Sequence, residues 1–282
     1  MTDKLTEDIE YLSMVNFLPE SLDPSDIHMQ LHIEKLWADI FWRRRKSHER
    51  RVDPEIKYLA RYPEDDFSKV LEIGAGYGRV SVKLSELQQV KSVTGIEICH
   101  HFGEYSKIYT EGHDKITFIF DDFMSTTFLH PNEFDLIVLP MNTLPSLPVN
   151  QMNHLFDKIR QMLKPGGKFI FTTYPERNTK QSEENYYGEL LVELGEDPIA
   201  AEYFTMKDSV MPWGIRSMTY AKFRYLSEKP EKDVTRYFRL KRNFIHHNYL
   251  SNLLRDNHFH VRNKEFVDHS MVFECEIFDE SQ

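Results

Sequence analysis

The residues of this chain whose types and spacing suggest chemistry begin at Glu72, Gly74, Gly76 and Gly78, inside the stretch KVLEIGAGYGRVSVKLSELQ from Lys69 to Gln88. Glycines let a chain turn tightly and bring a ligand against bare backbone. A helix leaving such a turn adds free N–H groups at its first turn. A dinucleotide turn wants its third glycine at the sixth position of G-x-G-x-x-G; here glycine falls at the fifth and Arg79 takes the sixth. Glu72, two residues before the first glycine, is a poor neighbour for a pyrophosphate and a good one for a cation or an amine. The bland alternative is a tight strand-to-helix connection with no ligand.

Two more acids recur at matching places. Glu97 closes SVTGIE and Asp122, in DDF, follows ITFIF. Singly, each reads equally well as a strand-end acid in water. Two acids and a glycine turn at three successive strand ends are harder to attribute to chance.

The elements that must position these groups follow from the hydrophobic pattern. Val70, Leu71 and Ile73 suit a strand buried on both faces, and Val80, Leu84 and Leu87 give the following helix one apolar side. Strands are expected at Ser92–Glu97, Ile116–Phe120, Phe134–Leu139 and Lys168–Thr173. A helix through Phe102, Tyr105 and Ile108 follows the second. The strongest helical stripe is Met152, Leu155, Phe156, Ile159, Met162 and Leu163, stopped by Lys164-Pro165-Gly166-Gly167. Strand and helix thus alternate as in a mainly parallel sheet. Before it, Ile33, Leu36, Trp37, Ile40 and Phe41 form an amphipathic stripe, and Pro54 opens a short helix through Ile56 and Leu59.

After Tyr174 a polar stretch leads to a helix carrying Tyr186, Tyr187, Leu190, Leu191 and Leu194. Ile215 to Leu226 and Val234 to Phe244 then read as a hairpin around a charged turn. A helix over 247–257 precedes two last strands, His260–Val267 and Met271–Phe278. The basic run Arg43-Arg44-Arg45-Lys46, with Arg50 and Arg51, is either a solvated helix end or a binder of an acidic group.

With 282 residues, 40% of them hydrophobic, the chain can build one large α/β domain with additions. Its net charge of −10 disfavours broad binding to nucleic acid or anionic membrane. Two cysteines, Cys99 and Cys275, are too few for a disulfide framework or a zinc cluster. The acidic start MTDKLTEDIE is neither signal nor transit peptide, and no run reaches the roughly 18 apolar residues of a membrane span. A cytoplasmic protein is the expectation.

Over residues 69–174, and in outline over 246–278, the pattern E-x-G-x-G-x-G, the strand-end acids and the segment LKPGGKFIFTTY resemble the class I S-adenosylmethionine-dependent methyltransferases. The resemblance implies an α/β fold: a mainly parallel seven-stranded sheet with its last strand antiparallel, a helical N-terminal cover over 1–68, and a methyltransferase domain over 69–282 with a β-hairpin insert at about 175–245. It implies S-adenosylmethionine as cofactor, with Gly74, Gly76 and Gly78 passing under it and Glu72 near the methionine amine. Glu97 would accept from both ribose hydroxyls and Asp122 from the adenine amino group. Phe123 would give a backbone contact beside the ring, and backbone around Pro140 would face the methionine moiety.

For the methyl acceptor the resemblance points to Asn142 and Tyr174 at the ends of strands four and five, with Tyr11, Trp42, His246 and His247 as weaker candidates. Tyr174 and His246 are the candidate catalytic groups; a packing role for Tyr174 and a surface role for the histidines stand against that. Pro140-Met141-Asn142 stands where metal-dependent members carry an acidic ligand, so no catalytic metal is expected. PMNT also differs from the Asn-Pro-Pro-Tyr motif of adenine- and glutamine-modifying members, which disfavours a nucleic-acid substrate. The leading function is methyl transfer to nitrogen or oxygen of a small molecule. A protein or peptide methyltransferase, and a silent cofactor-binding scaffold that forms a homodimer through the hairpin, are the alternatives.

Overall fold

The computed structural model describes residues 38, 41–42, 45–50, 53–140, 143–147, 149–174, 199–225, 234–268 and 270–278. Two units divide the chain, one of Met1–Trp37 with Glu176–Ile245 and one of Ala38–Pro175 with His246–Gln282. The stripe from Ile33 to Ile40 and the helix expected around Tyr186 to Leu194 lie outside the described residues.

The second unit opens with α1 (Arg45–Glu49) and α2 (Pro54–Leu59), the latter started by its proline as the sequence suggests. Alternating elements follow: β1 (Phe67–Ile73), α3 (Arg79–Glu86), β2 (Val90–Glu97), α4 (Phe102–Tyr109), β3 (Ile116–Phe120) and β4 (Phe134–Leu139). Next come α5 (Met152–Met162) and β5 (Leu163–Thr173). The other unit supplies β6 (Ile199–Met211), β7 (Gly214–Tyr225) and β8 (Val234–Ile245). The chain then closes the first sheet with α6 (His247–Asp256), β9 (Phe259–Val267) and β10 (Ser270–Ile277).

One seven-stranded sheet runs in the order β3-β2-β1-β4-β5-β10-β9. The first five strands pair in parallel, and β10 lies antiparallel between β5 and β9. This is the class I methyltransferase arrangement expected from the sequence. The signal at Lys164–Gly167 acts differently from a simple stop. The strand begins at Leu163, opposite Phe134, and the next pair is Leu136 with Lys168, so the proline and glycines bulge out of the ladder, with Gly166 at φ +75°. In the other unit the expected hairpin is β7–β8, and β6 extends it to an antiparallel three-stranded sheet.

Both faces of the large sheet are covered. On one, α2 and α3 pack Tyr58, Leu59, Val80 and Leu84 onto Val70, Val93, Leu136, Val138, Ile170 and Val272. On the other, Leu155, Phe156 and Ile159 of α5 and Leu250 and Leu254 of α6 are buried with an aromatic stack. There Phe171 lies parallel to Phe273 with ring centroids 4.9 Å apart, and Phe169 stacks on Phe171 at 5.0 Å. Cys99 and Cys275 are both buried, and burial raises the Cys275 thiol well above its ordinary range. The α4 stripe is weaker than its pattern suggests: Phe102 is buried, whereas Ile108 is 60% exposed. Among the described residues no helix is long and apolar enough to cross a membrane.

Candidate functional site

Open parallel sheets bind ligands beyond the carboxyl ends of their strands. Here β1, β2, β3, β4 and β5 all end at one edge, and the glycine turn, Glu97, Asp122, Pro140 and Tyr174 stand there. The turn between β1 and α3 adopts left-handed backbone at each glycine, with φ of +78° at Gly74, +56° at Gly76 and +97° at Gly78. An added side chain would meet different surroundings at two of these positions. A Cβ at Gly78 would come within 2.7 Å of Phe118 Cζ, so β3 packs directly on the turn. A Cβ at Gly76 would meet nothing nearer than Phe102 Cζ at 4.0 Å and would fill the bare cradle instead.

Glu97 is seated in that cradle. Its Oε2 accepts the Gly76 N–H at 2.8 Å and its Oε1 accepts the Cys99 N–H at 2.9 Å. Burial raises its pKa, and these backbone donors pull the other way. A carboxylate offers about four lone-pair directions, so both oxygens retain capacity toward hydroxyls. Ile98, the next residue, is 56% exposed, an apolar surface beside the acid that its place in an apolar strand pattern does not announce.

Glu72 faces α3 and is 1% exposed. Ser81 Oγ donates to it, and burial pushes its pKa up to about 8 against the influence of that hydrogen bond and of Arg79. Asp122 is half-buried and organises its own turn, accepting from the Met124 N–H at 2.9 Å and the Ser125 hydroxyl at 3.2 Å. The Phe123 ring is buried beneath Lys158, whose Nζ donates to the carbonyls of Met124 and Thr126. Burial lowers that lysine's pKa.

At the end of β4 the Pro140 carbonyl accepts both the N–H and the hydroxyl of Thr143. Thr143 also borders the cradle, since a Cβ at Gly74 would lie 3.3 Å from its Cγ2. Sequence reasoning passed over Thr143, because a threonine in a proline-rich turn carries no pattern of its own. Tyr174 is half-buried just past β5, and its carbonyl lies 3.2 Å from His247 Nε2. His247 is 6% exposed and sits edge-on to Phe273 at 5.6 Å. His246, the N-cap of α6, is exposed, and its carbonyl accepts the Leu250 N–H. The structure therefore brings Tyr174 and His247 together and leaves His246 outside that contact.

Trp42 stacks on Tyr105 at 4.8 Å, lies edge-on to Tyr77 at 5.9 Å, and carries the Arg45 guanidinium 4.2 Å from its ring. Within the basic run, Arg45 is half-buried by that contact, whereas Lys46 and Arg50 are exposed. Tyr11, Asn142, Arg43, Arg44 and Arg51 lie outside the described residues. Among the described residues no three His, Cys, Asp or Glu side chains converge as a metal site.

Comparison with known proteins agrees with this fold. Residues 70–167 match the family model described as a methyltransferase domain. A stretch of 118 residues, 42% of this chain, is 31% identical to phosphoethanolamine N-methyltransferase of Plasmodium falciparum. The chain spans about 43% of the length of that curated relative. Among solved structures, an S-adenosylmethionine-dependent methyltransferase from Clostridium acetobutylicum superposes with a TM-score of 0.63 at 13% identity, covering 86% of this chain and 98% of its own. The PH0226 protein from Pyrococcus horikoshii gives 0.60 at 20% identity, over 79% and 88% of the two chains. At those identities the likeness is one of fold. The sheet order and the glycine turn are those of the class I methyltransferase fold, and residues 70–167 within it match the methyltransferase-domain model.

Proposed function

We propose that this protein is an S-adenosylmethionine-dependent methyltransferase that methylates a nitrogen of a small molecule. The observation that carries the reading is the bare glycine cradle with the Glu97 carboxylate accepting the Gly76 N–H within it. Gly74, Gly76 and Gly78 would lie under the cofactor, Glu97 would accept from the ribose hydroxyls and Asp122 from the adenine amine. Backbone at Phe123 and Pro140, and the acid Glu72, complete the contacts expected from the sequence. The cofactor supplies a methyl group already activated on a sulfonium centre.

What remains for this chain is positioning. A nucleophile aligned with the methyl group gains much of its rate from orientation alone. An amine must also arrive, or be made, unprotonated. Tyr174, at the end of β5, is the side chain we assign to that half of the site. The small polar amine named for the Plasmodium relative supports nitrogen as acceptor.

Calorimetry with S-adenosylmethionine tests the cofactor assignment. We expect binding that Glu97→Ala weakens at least about tenfold, in line with the loss of a charged hydrogen-bond acceptor. An unaltered chain that fails to bind overturns the proposal. Labelled methyl groups appearing in a small-amine fraction support the acceptor class. Label in added peptides would point instead to a protein substrate, and no transfer to a silent scaffold.

A further inference from the structure

We propose that Asp53 is a positioning residue for the cofactor cradle: its buried carboxylate clasps Arg79 and Lys83 on α3 and thereby fixes the glycine turn that precedes them. This rests on the cofactor reading above. Arg79 Nη1 lies 2.6 Å from each Asp53 oxygen, and Lys83 Nζ lies 2.6 Å from Oδ2. The Asp53 and Arg79 side chains are 1% and 6% exposed.

Three observations make this more than a packing detail. Arg79 is the first residue of α3, joined directly to Gly78, and the three left-handed glycines, which alternate with Ala75 and Tyr77, have no side chains of their own to hold them. Glu97 pins the middle of the turn through the Gly76 N–H, and the Asp53 clasp pins its far end. Burying such a group of charges is costly, and well-packed apolar residues often do as well for stability. The buried charges are therefore better explained by geometry than by stability.

The same piece of chain reaches the other half of the site. Two residues after Asp53, Glu55 accepts the Thr172 hydroxyl at 2.5 Å, near the end of the strand that leads to Tyr174. The step from Asp53 to Glu55 thus ties α3 to β5, setting the cradle against the strand that carries the proposed acceptor contact.

A charge argument separates this role from a merely structural one. Without the Asp53 charge, the positive charges of Arg79 and Lys83 behind the turn lose their shared acidic neighbour. They would oppose S-adenosylmethionine, which carries the sulfonium charge, more than its neutral thioether product, S-adenosylhomocysteine. Calorimetry well below the unfolding midpoint should show Asp53→Asn weakening S-adenosylmethionine about tenfold or more, and about fivefold more than the thioether. Arg79→Lys keeps the charge but shortens the reach to the two Asp53 oxygens that Nη1 bridges, so it should weaken both ligands about equally, by about threefold. If Asp53→Asn does not fold, Arg79→Lys and Lys83→Met decide the matter. Variants that lower the unfolding midpoint yet bind both ligands as the unaltered chain does would overturn the positioning role. An unaltered chain that binds neither ligand would instead overturn the cofactor reading, and this role with it.

Discussion

The two faces of the seven-stranded sheet are built on opposite principles. Beneath α5 and α6 the filling is apolar and aromatic: Phe156, Phe169, Phe171, Phe259 and Phe273 are each no more than 2% exposed. Beneath α2 and α3 the apolar cluster shares its space with ionisable groups. Toward the carboxyl edge stand Asp53, Glu55, Glu72 and Arg79, and farther along the sheet the Tyr58 hydroxyl donates to Glu274, which also pairs with Lys168. One face supplies cohesion mainly through apolar and aromatic contacts. The other gives up part of that cohesion to hold charge next to the glycine turn.

Three changes would break or sharpen the contrast. Phe273→Ala, on the aromatic face, should cost about 3–5 kcal/mol of unfolding free energy, read from urea denaturation. A cost near that of a surface change would mean the stack is not the main source of stability. Gly78→Ala, on the other face, forces a side chain onto backbone at φ +97° and against Phe118 at 2.7 Å. A cost of about 1–3 kcal/mol is expected, together with weaker cofactor binding.

Glu72→Gln should have the smallest effect and the most specific one. With its pKa raised from 4.5 to about 8, Glu72 keeps its proton in the native state over a range where the unfolded chain has lost it. The native state therefore binds more protons than the unfolded state, and stability falls as pH rises through that window. The amide cannot titrate, so urea midpoints measured from pH 5 to pH 8 should decline less steeply in this variant. Glu97, shifted in the same direction, leaves part of the slope in place. An unchanged slope would show that Glu72 does not titrate differently on folding.

What the sequence made legible was whatever depends on local period and turn chemistry. The run Val70 to Ile73, the glycines behind it and the stripe from Met152 to Met162 each specify their element without distant help. The acids at the ends of β2 and β3 were legible for the same reason. The Asp53 clasp was not, because its partners lie far along the chain and Arg79 on its own reads only as a broken dinucleotide motif. Strand β6 was missed as well: IAAEYFTMKDSVM alternates poorly, and its register shifts between Met206 and Ser209. The contact of Thr143 with the cradle depends on β4 lying beside β1, which no local pattern encodes.

Cys275 sits on β10, between β5 and β9, sealed from solvent and with little tendency to form a thiolate. An alkylating reagent can reach it only when the packing around β10 opens locally. The rate at which that sulfur is trapped is thus a clock for local opening of the closing strand, built into the chain without any added label.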